Sequence, residues 1–196
     1  MNAAAFALQC AWQCVQFWTP LSVTVLLLWL IYRPDRFHPY IDDAVLAALD
    51  LTHGNATARN LRYDLSLGLG FRNSHSRLSI LYLDVGATAF YNDTKLGTAV
   101  NSLPNFRQPP KNTTVWHPAF QGTLDGFSGK AAAELERERA SRVVHVRVRV
   151  DLTLMYKVWF VENVVFYVYD CWLWFSLPHK DAPALFHGDG IRCWRV

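Results

Sequence analysis

Residues 61–71 alternate without exception: every odd position is Leu, Tyr or Phe, and every even one is polar or Gly. A period of two puts one set of side chains on each face of an extended chain, so this stretch reads as a half-buried strand. A second run repeats the pattern. Val144, Val146, Val148, Val150, Leu152 and Leu154 share one face, while His145, Arg147, Arg149, Asp151 and Thr153 share the other. Shorter runs predict strands at 45–51, 78–83, 86–91, 113–124 and 164–175, the last rich in the β-branched and aromatic residues that suit a pleated surface. Asn73-Ser74, Asn92-Asp93, Pro104-Asn105 and Pro109-Pro110 punctuate them. About seven strands divided by turns predict an antiparallel sandwich rather than a parallel βαβ fold. Only residues 130–140 read as a helix after the first strand. Its charges are spaced to pair as Glu134 with Arg137, Glu136 with Arg139, and Glu138 with Arg142, which predicts a short solvated inter-strand helix and not a binding element.

Charge is distributed as unevenly as hydropathy. The chain has 196 residues, 52% of them hydrophobic, and a net charge of +3. That composition excludes a disordered chain, and 19 basic against 16 acidic residues leaves no strong nucleic-acid footprint. All of these charges lie beyond Tyr32. Residues 13–32 match the length of a bilayer-crossing helix, with Trp18, Trp29 and Tyr32 toward the ends, where amphipathic rings prefer the interface. Arg33-Pro34-Asp35-Arg36 stops the span, and Pro20 within it is better tolerated in lipid than in water. A transmembrane anchor is the preferred reading over a cleaved signal peptide or a buried core helix. No basic region precedes the apolar stretch, and no small-residue cleavage site follows it. Cys10 and Cys14, spaced i, i+4, suit palmitoylation or cross-linking of two chains, or simply face lipid.

Compartment marks disagree with one another. Asn55, Asn92 and Asn112 each open an Asn-x-Ser/Thr sequon in or beside a predicted turn, where a glycan is tolerated. Cys171 and Cys193 either form a disulfide tying the C-terminal tail to the last long strand, for about 3 kcal/mol of chain entropy, or remain buried thiols. Both marks favour an oxidising, extracytosolic setting. Arg33 and Arg36 pull the other way, because basic residues flanking a span favour the cytosolic side.

Chemistry is sparse. No Gly-x-Ser-x-Gly elbow, His-Glu-x-x-His helix, phosphate-binding loop or dinucleotide fingerprint occurs. The seven histidines are scattered without ligand spacing, and Asp42-Asp43 reads as a solvated turn rather than a metal site. Hence no catalytic, metal or cofactor-binding residue is expected, nor any enzyme activity. His145, Arg147 and Arg149 form a basic stripe, either a site for anionic headgroups or acidic partners, or a solvated strand face. Phe166, Tyr167, Tyr169, Trp172, Trp174 and Phe175 are too dense for one face of a strand, so both faces are covered or one is a binding surface.

The order of short segments matches a known family. A span closed by Arg33-Pro34 leads through Phe37-His38-Pro39-Tyr40-Ile41 to Leu49-Asp50-Leu51-Thr52. Leu61-Arg62-Tyr63-Asp64-Leu65, Phe71-Arg72-Asn73-Ser74, Ile80-Leu81-Tyr82-Leu83-Asp84-Val85, Ala89-Phe90-Tyr91-Asn92 and Phe106-Arg107-Gln108-Pro109-Pro110 follow. Arg147-Val148-Arg149-Val150-Asp151 and Tyr169-Asp170-Cys171-Trp172 complete the series. Over residues 20–196 the chain resembles the plant harpin-induced-like, non-race-specific disease resistance-like membrane proteins, which carry a late-embryogenesis-abundant group-two domain. The resemblance implies an anchor at 1–32, a juxtamembrane linker at 33–43 and an all-β, immunoglobulin/fibronectin-III-like antiparallel β-sandwich at 44–196 outside the plasma membrane. It implies a non-enzymatic role in pathogen response, with a protein or cell-wall partner in addition to the bilayer and with oligomerisation left open. Lipid-contacting stress protection is the alternative, with acyl chains held between the sheets. Asn73 and Tyr82 map to a family pattern read as structural. The cytosolic arm common in the family is nearly missing here.

Overall fold

The two alternating runs pair with different neighbours and so seed different sheets. The computed structural model describes residues 3–32, 38–53, 59–127, 129–158, 161–177, 184–186 and 191–196. Helix α1 (Ala3–Tyr32) precedes strands β1 (Tyr40–His53), β2 (Arg59–Arg72), β3 (Ile80–Tyr91), β4 (Thr94–Thr98), β5 (Phe106–Gln108), β6 (Thr113–Trp116) and β7 (Ala119–Phe127). Helix α2 (Lys130–Ser141) then leads to the long hairpin of β8 (Val143–Val158) and β9 (Val161–Ser176). Short pieces β10 (Ala184–Leu185), β11 (Ile191–Arg192) and β12 (Trp194–Arg195) follow. In the first sheet β2 lies between β1 and the pair β6 and β7, with β10 and β11 on the other side of β1. In the second, β12, β9, β8, β3 and β4 lie in that order, with β5 also on β3. Every pairing is antiparallel, and the chain is an all-β sandwich with two helices.

Several elements depart from their expected limits. Stretches 78–83 and 86–91 form the single strand β3, because a register shift between Tyr82 and Asp84 absorbs the irregularity without ending the pairing with β8. Stretch 113–124 is two strands, interrupted at His117-Pro118, since proline has no N–H to give the ladder. Strand β1 begins at Tyr40, inside the expected linker, pairing Tyr40 with Gly70. Asp42 and Asp43 both face solvent because the register of β1 shifts between Ile41 and Asp43, so the alternation that should have separated them is broken.

Helix α1 forms a unit of its own. Its 19-residue stretch Trp12–Leu30 has a mean hydropathy of 1.4, long and apolar enough to cross a membrane. The hydroxyls of Ser22 and Thr24 donate to carbonyls of Trp18 and Pro20 at 2.8 Å, and Thr19 donates to Val15. Those bonds satisfy the hydroxyls within the helix itself.

Between the sheets the core is filled by large side chains. Phe71, Phe120, Phe175, Tyr82, Tyr91 and Tyr169 are all less than 2% exposed or at that level, among Leu and Val from the alternating runs. Tyr63 crosses from one sheet to the other: its hydroxyl donates to the Leu96 carbonyl at 2.8 Å. A Cβ on either Gly97 or Gly122 would lie 2.5 Å from that hydroxyl, so both positions need glycine for the tyrosine to reach across. A buried polar knot closes one end. Tyr82 Oη donates to Gln108 Oε1 at 2.8 Å, and Gln108 Nε2 donates to the Phe71 carbonyl at 2.9 Å. Asn73 Nδ2 donates to the carbonyls of Leu78 and Pro109 at 2.9 and 3.0 Å. Asn73 and Tyr82 thus have the structural roles read for them in the sequence.

Replacing Gln108 by Leu removes Tyr82's acceptor and the donor to Phe71 in one step. The expected loss is about 3 kcal/mol of unfolding free energy in urea titrations, with no change in m. Burial also raises the phenols of Tyr82, Tyr91 and Tyr156, and pushes that of Tyr169 up to about 12. Neutral tyrosine is the form the fold favours, so this stability is complete below the ordinary phenol value near ~10 and is lost as pH rises through the raised ones. In an alkaline titration, part of the phenolate absorbance should therefore appear only together with loss of the circular dichroism signal.

Candidate functional site on the outer face of the second sheet

Register decides what the outer face carries. Strand β8 lies between β3 and β9, with Arg147 opposite Phe90 on one side and Trp172 on the other. The guanidinium carbon of Arg147 is 5.1 Å from the Phe90 ring centroid and 5.5 Å from that of Trp172. Two residues along, Arg149 lies opposite Asp170. Its Nε and Nη2 donate to the two Asp170 oxygens at 2.8 and 3.1 Å, a bidentate pair, and Asp170 is only 7% exposed. Hydrogen bonding to Asp170 raises the pKa of Arg149. Arg147 adds longer contacts of 3.7 Å to Asp170 and 3.6 Å to Asp93. The stripe His145, Arg147, Arg149 is therefore not an open cationic patch. Cross-strand carboxylates compensate it, and aromatic rings flank its arginines.

Helix α2 makes some of its ion pairs within itself and others with the sheets. Glu134 pairs with Arg137 as its spacing predicts. The other pairs find tertiary partners: Glu136 meets Arg59 of β2, and Arg139 Nη2 donates to Asp50 Oδ1 of β1 at 2.6 Å. Glu138 turns toward the second sheet. Its Oε2 accepts from Tyr91 Oη at 2.9 Å and from the His145 backbone N–H at 3.2 Å, and Oε1 lies 2.7 Å from His145 Nδ1. Burial, and then the bond to Glu138, raise the Tyr91 phenol. The helix starts after Gly129 at φ 72° and ends at Arg142 at φ 59°, a left-handed stop that directs the chain into β8.

Between the helix and the outer face lies a cleft of about 340 Å³, lined by Tyr91, Asn92, Glu134, Glu138, His145, Arg147 and Trp172. The helix, expected to be a solvated connector, supplies two of its walls. Sequence periodicity could not reveal this, because the wall forms only when α2 folds back over β8. Large exposed rings also stand on the outer face. Phe166, Trp172 and Trp174 are 71%, 50% and 51% exposed, and Trp194 of β12 is 73% exposed. The aromatic cluster thus divides between the faces: Tyr169 and Phe175 enter the core, while Phe166, Trp172 and Trp174 face outward.

Of the sequon residues, Asn92 is the first of two turn residues between β3 and β4, exposed and at φ 49°. Asn112 is exposed just before β6, its carbonyl accepting from the Asn73 N–H at 2.9 Å. Asn55 lies outside the described residues. Cys171 and Cys193 are joined by a disulfide across 22 positions, and the Cys193 N–H donates to the Pro39 carbonyl at 3.0 Å. Cys14 is exposed and unbridged.

Asp170 compensates both arginines from a nearly dry position. Asp170→Ala should cost about 2 kcal/mol in urea unfolding, whereas Asp170→Asn, which keeps one acceptor, should cost less.

Two curated proteins of Arabidopsis thaliana are similar over most of this chain. NDR1/HIN1-like protein 10 is 34% identical over 139 residues, covering 70% of this chain and 59% of that protein. NDR1/HIN1-like protein 2 is 30% identical over 139 residues, covering 70% of this chain and 55% of that protein. The chain thus spans a little over half the length of these relatives. No protein-family model matches it. A crystal structure of a protein from Archaeoglobus fulgidus aligns over 68% of this chain and 98% of its own, at 14% identity and a TM-score of 0.30, too weak a likeness to bear on the fold.

Proposed function

Because the chain belongs to the NDR1/HIN1-like family, a plant family related to defence, we propose that it is a membrane-anchored, non-enzymatic interaction protein. Helix α1 anchors it in the plasma membrane by a single pass, and the sandwich stands on the extracytosolic side. The observation that carries the interaction role is the outward aromatic row Phe166, Trp172, Trp174 on a sheet whose other face is fully packed. A water-facing row of large rings costs hydration free energy on the order of 25 cal/mol per Å² of apolar surface, which a partner recovers by covering it. Aromatic residues and arginine are also the side chains that dominate interface energies. The partner is a protein or a cell-wall component that meets this face.

Support for the extracytosolic side comes from the Cys171–Cys193 bridge, which persists in oxidising compartments, and from the exposed positions of Asn92 and Asn112. The alternative, acyl chains held between the sheets, lacks support in a core occupied by Phe71, Tyr82, Phe120 and Phe175.

Topology is the decisive test. Expressed in plant cells as the full chain, the protein should show a mobility shift on endoglycosidase treatment. In sealed microsomes its sandwich should resist added protease until detergent is present. A sandwich digested in intact microsomes, with no mobility shift, would overturn the extracytosolic placement.

A further inference from the structure

Asn92 and the cleft beside Trp172 belong together. Asn92-Asp93-Thr94 is an intact acceptor sequence on a two-residue turn, and Asn92 itself lines the cleft. At φ 49° the residue occupies a conformation that Asn adopts more readily than most side chains, so acceptor and turn are compatible. Any group attached to Asn92 Nδ2 is therefore tethered at the rim of a preformed recess of about 340 Å³, within the size range of small-molecule sites.

The lining selects a class of ligand. Trp172 offers a half-exposed flat ring, suited to the apolar face of a pyranose. Arg147 is held at 3.6–3.7 Å from its carboxylates, too far for good hydrogen bonds, and its Nε is buried without a hydrogen-bond partner among the described residues. The two Nη groups, which make only these long contacts, keep donor capacity beside the recess. Glu134 and Glu138 share the lining with Arg147 and His145, so the recess holds no surplus of positive charge that would select a bare anion. A neutral, hydroxyl-rich ring carrying an amide meets all of these conditions.

We infer that the Tyr91–Glu138–His145–Arg147–Trp172 cleft seats the chain's own Asn92-linked glycan, with the first N-acetylhexosamine lying on Trp172 beside Arg147. This rests on the extracytosolic placement proposed above. The modification joins Asn92 Nδ2 to the anomeric carbon of an oligosaccharide donated from a lipid diphosphate. The carbon–oxygen bond to the diphosphate breaks, the lipid diphosphate leaves, and the amide loses one proton. Once attached, the sugar meets the cleft intramolecularly, at an effective concentration on the order of millimolar, so even weak stacking is populated. The glycan would cover one end of the outer face and leave Phe166 and Trp174 open to a partner.

The test uses the full chain from plant membranes with Asn55→Gln and Asn112→Gln, leaving Asn92 as the one intact acceptor of the three. Endoglycosidase mobility reports occupancy, and thermal unfolding is compared with and without Asn92→Gln in wild-type, Trp172→Ala and Trp174→Ala backgrounds. Seating predicts that the glycan raises Tm by roughly 2–4 °C in the wild-type and Trp174→Ala backgrounds and by nothing measurable in Trp172→Ala. Trp172→Phe, which keeps a smaller ring, should retain part of the gain and replaces Trp172→Ala should that variant fold poorly. Occupied Asn92 with a gain that ignores Trp172, or with no gain, overturns the seating while leaving the topology intact. Glycan at Asn55 or Asn112 of the unmutated chain but not at Asn92 overturns the seating alone. No glycan at any of the three overturns both.

Discussion

The pairing of β8 with β3 on one side and β9 on the other is the constraint from which the rest of the domain follows. Once Val148 is opposite Ala89 and Cys171, the odd–even alternation of β8 is locked. Six apolar side chains of that strand then have nowhere to go but the core, and three basic ones nowhere but the outer face. A slip of one residue would exchange the two sets and bury His145, Arg147 and Arg149 without their carboxylates, at several kcal/mol per unpaired charge. Register is therefore strongly enforced, and both the packed interior and the decorated exterior are its products.

That exterior reconciles two opposing demands. Arginine on a sheet face keeps an edge or surface soluble, yet Arg147 is flanked by Phe90 and Trp172, and Arg149 by Phe90. Flanking aromatic rings recover part of the lost hydration through cation–π attraction, on the order of 1 kcal/mol each, and Asp170 recovers more through its bidentate contact. The outcome is a face rich in rings and buried charge pairs but low in net charge. Such a surface favours shape and stacking over long-range electrostatic steering, which fits a saccharide or a protein patch better than a phosphate backbone.

Two ties hold this face in place. At one, Glu138 gathers Tyr91, the His145 amide and the His145 ring, fastening α2 to the second sheet while Arg139 and Glu136 fasten it to the first. At the other, the disulfide joins the tail to β9, and the Cys193 amide holds Pro39, where the chain begins its first strand. Loop closure over that span is worth about 3 kcal/mol, comparable with the whole contribution of several surface ion pairs. Tyr63, reaching across between two glycines, ties the sheets together in the middle.

Fold class, the long strands, the candidate span and both helices were legible in the residues, because alternation and helical periodicity are local and act before any tertiary contact. The sequence by itself settled which side chains of 61–71 and 144–154 share a face. It could not settle which of the two faces of 164–175 was the core, since aromatic residues filled both. Of the ion pairs read from helical spacing, Glu134 with Arg137 forms, while Glu136, Glu138 and Arg139 also meet partners on strands of the two sheets. The union of 78–83 with 86–91, and the recess at Asn92, were likewise invisible. A register shift and a cleft are properties of two or more segments at once. Tertiary structure alone decided them, because their energies arise from contacts between residues that no local pattern links.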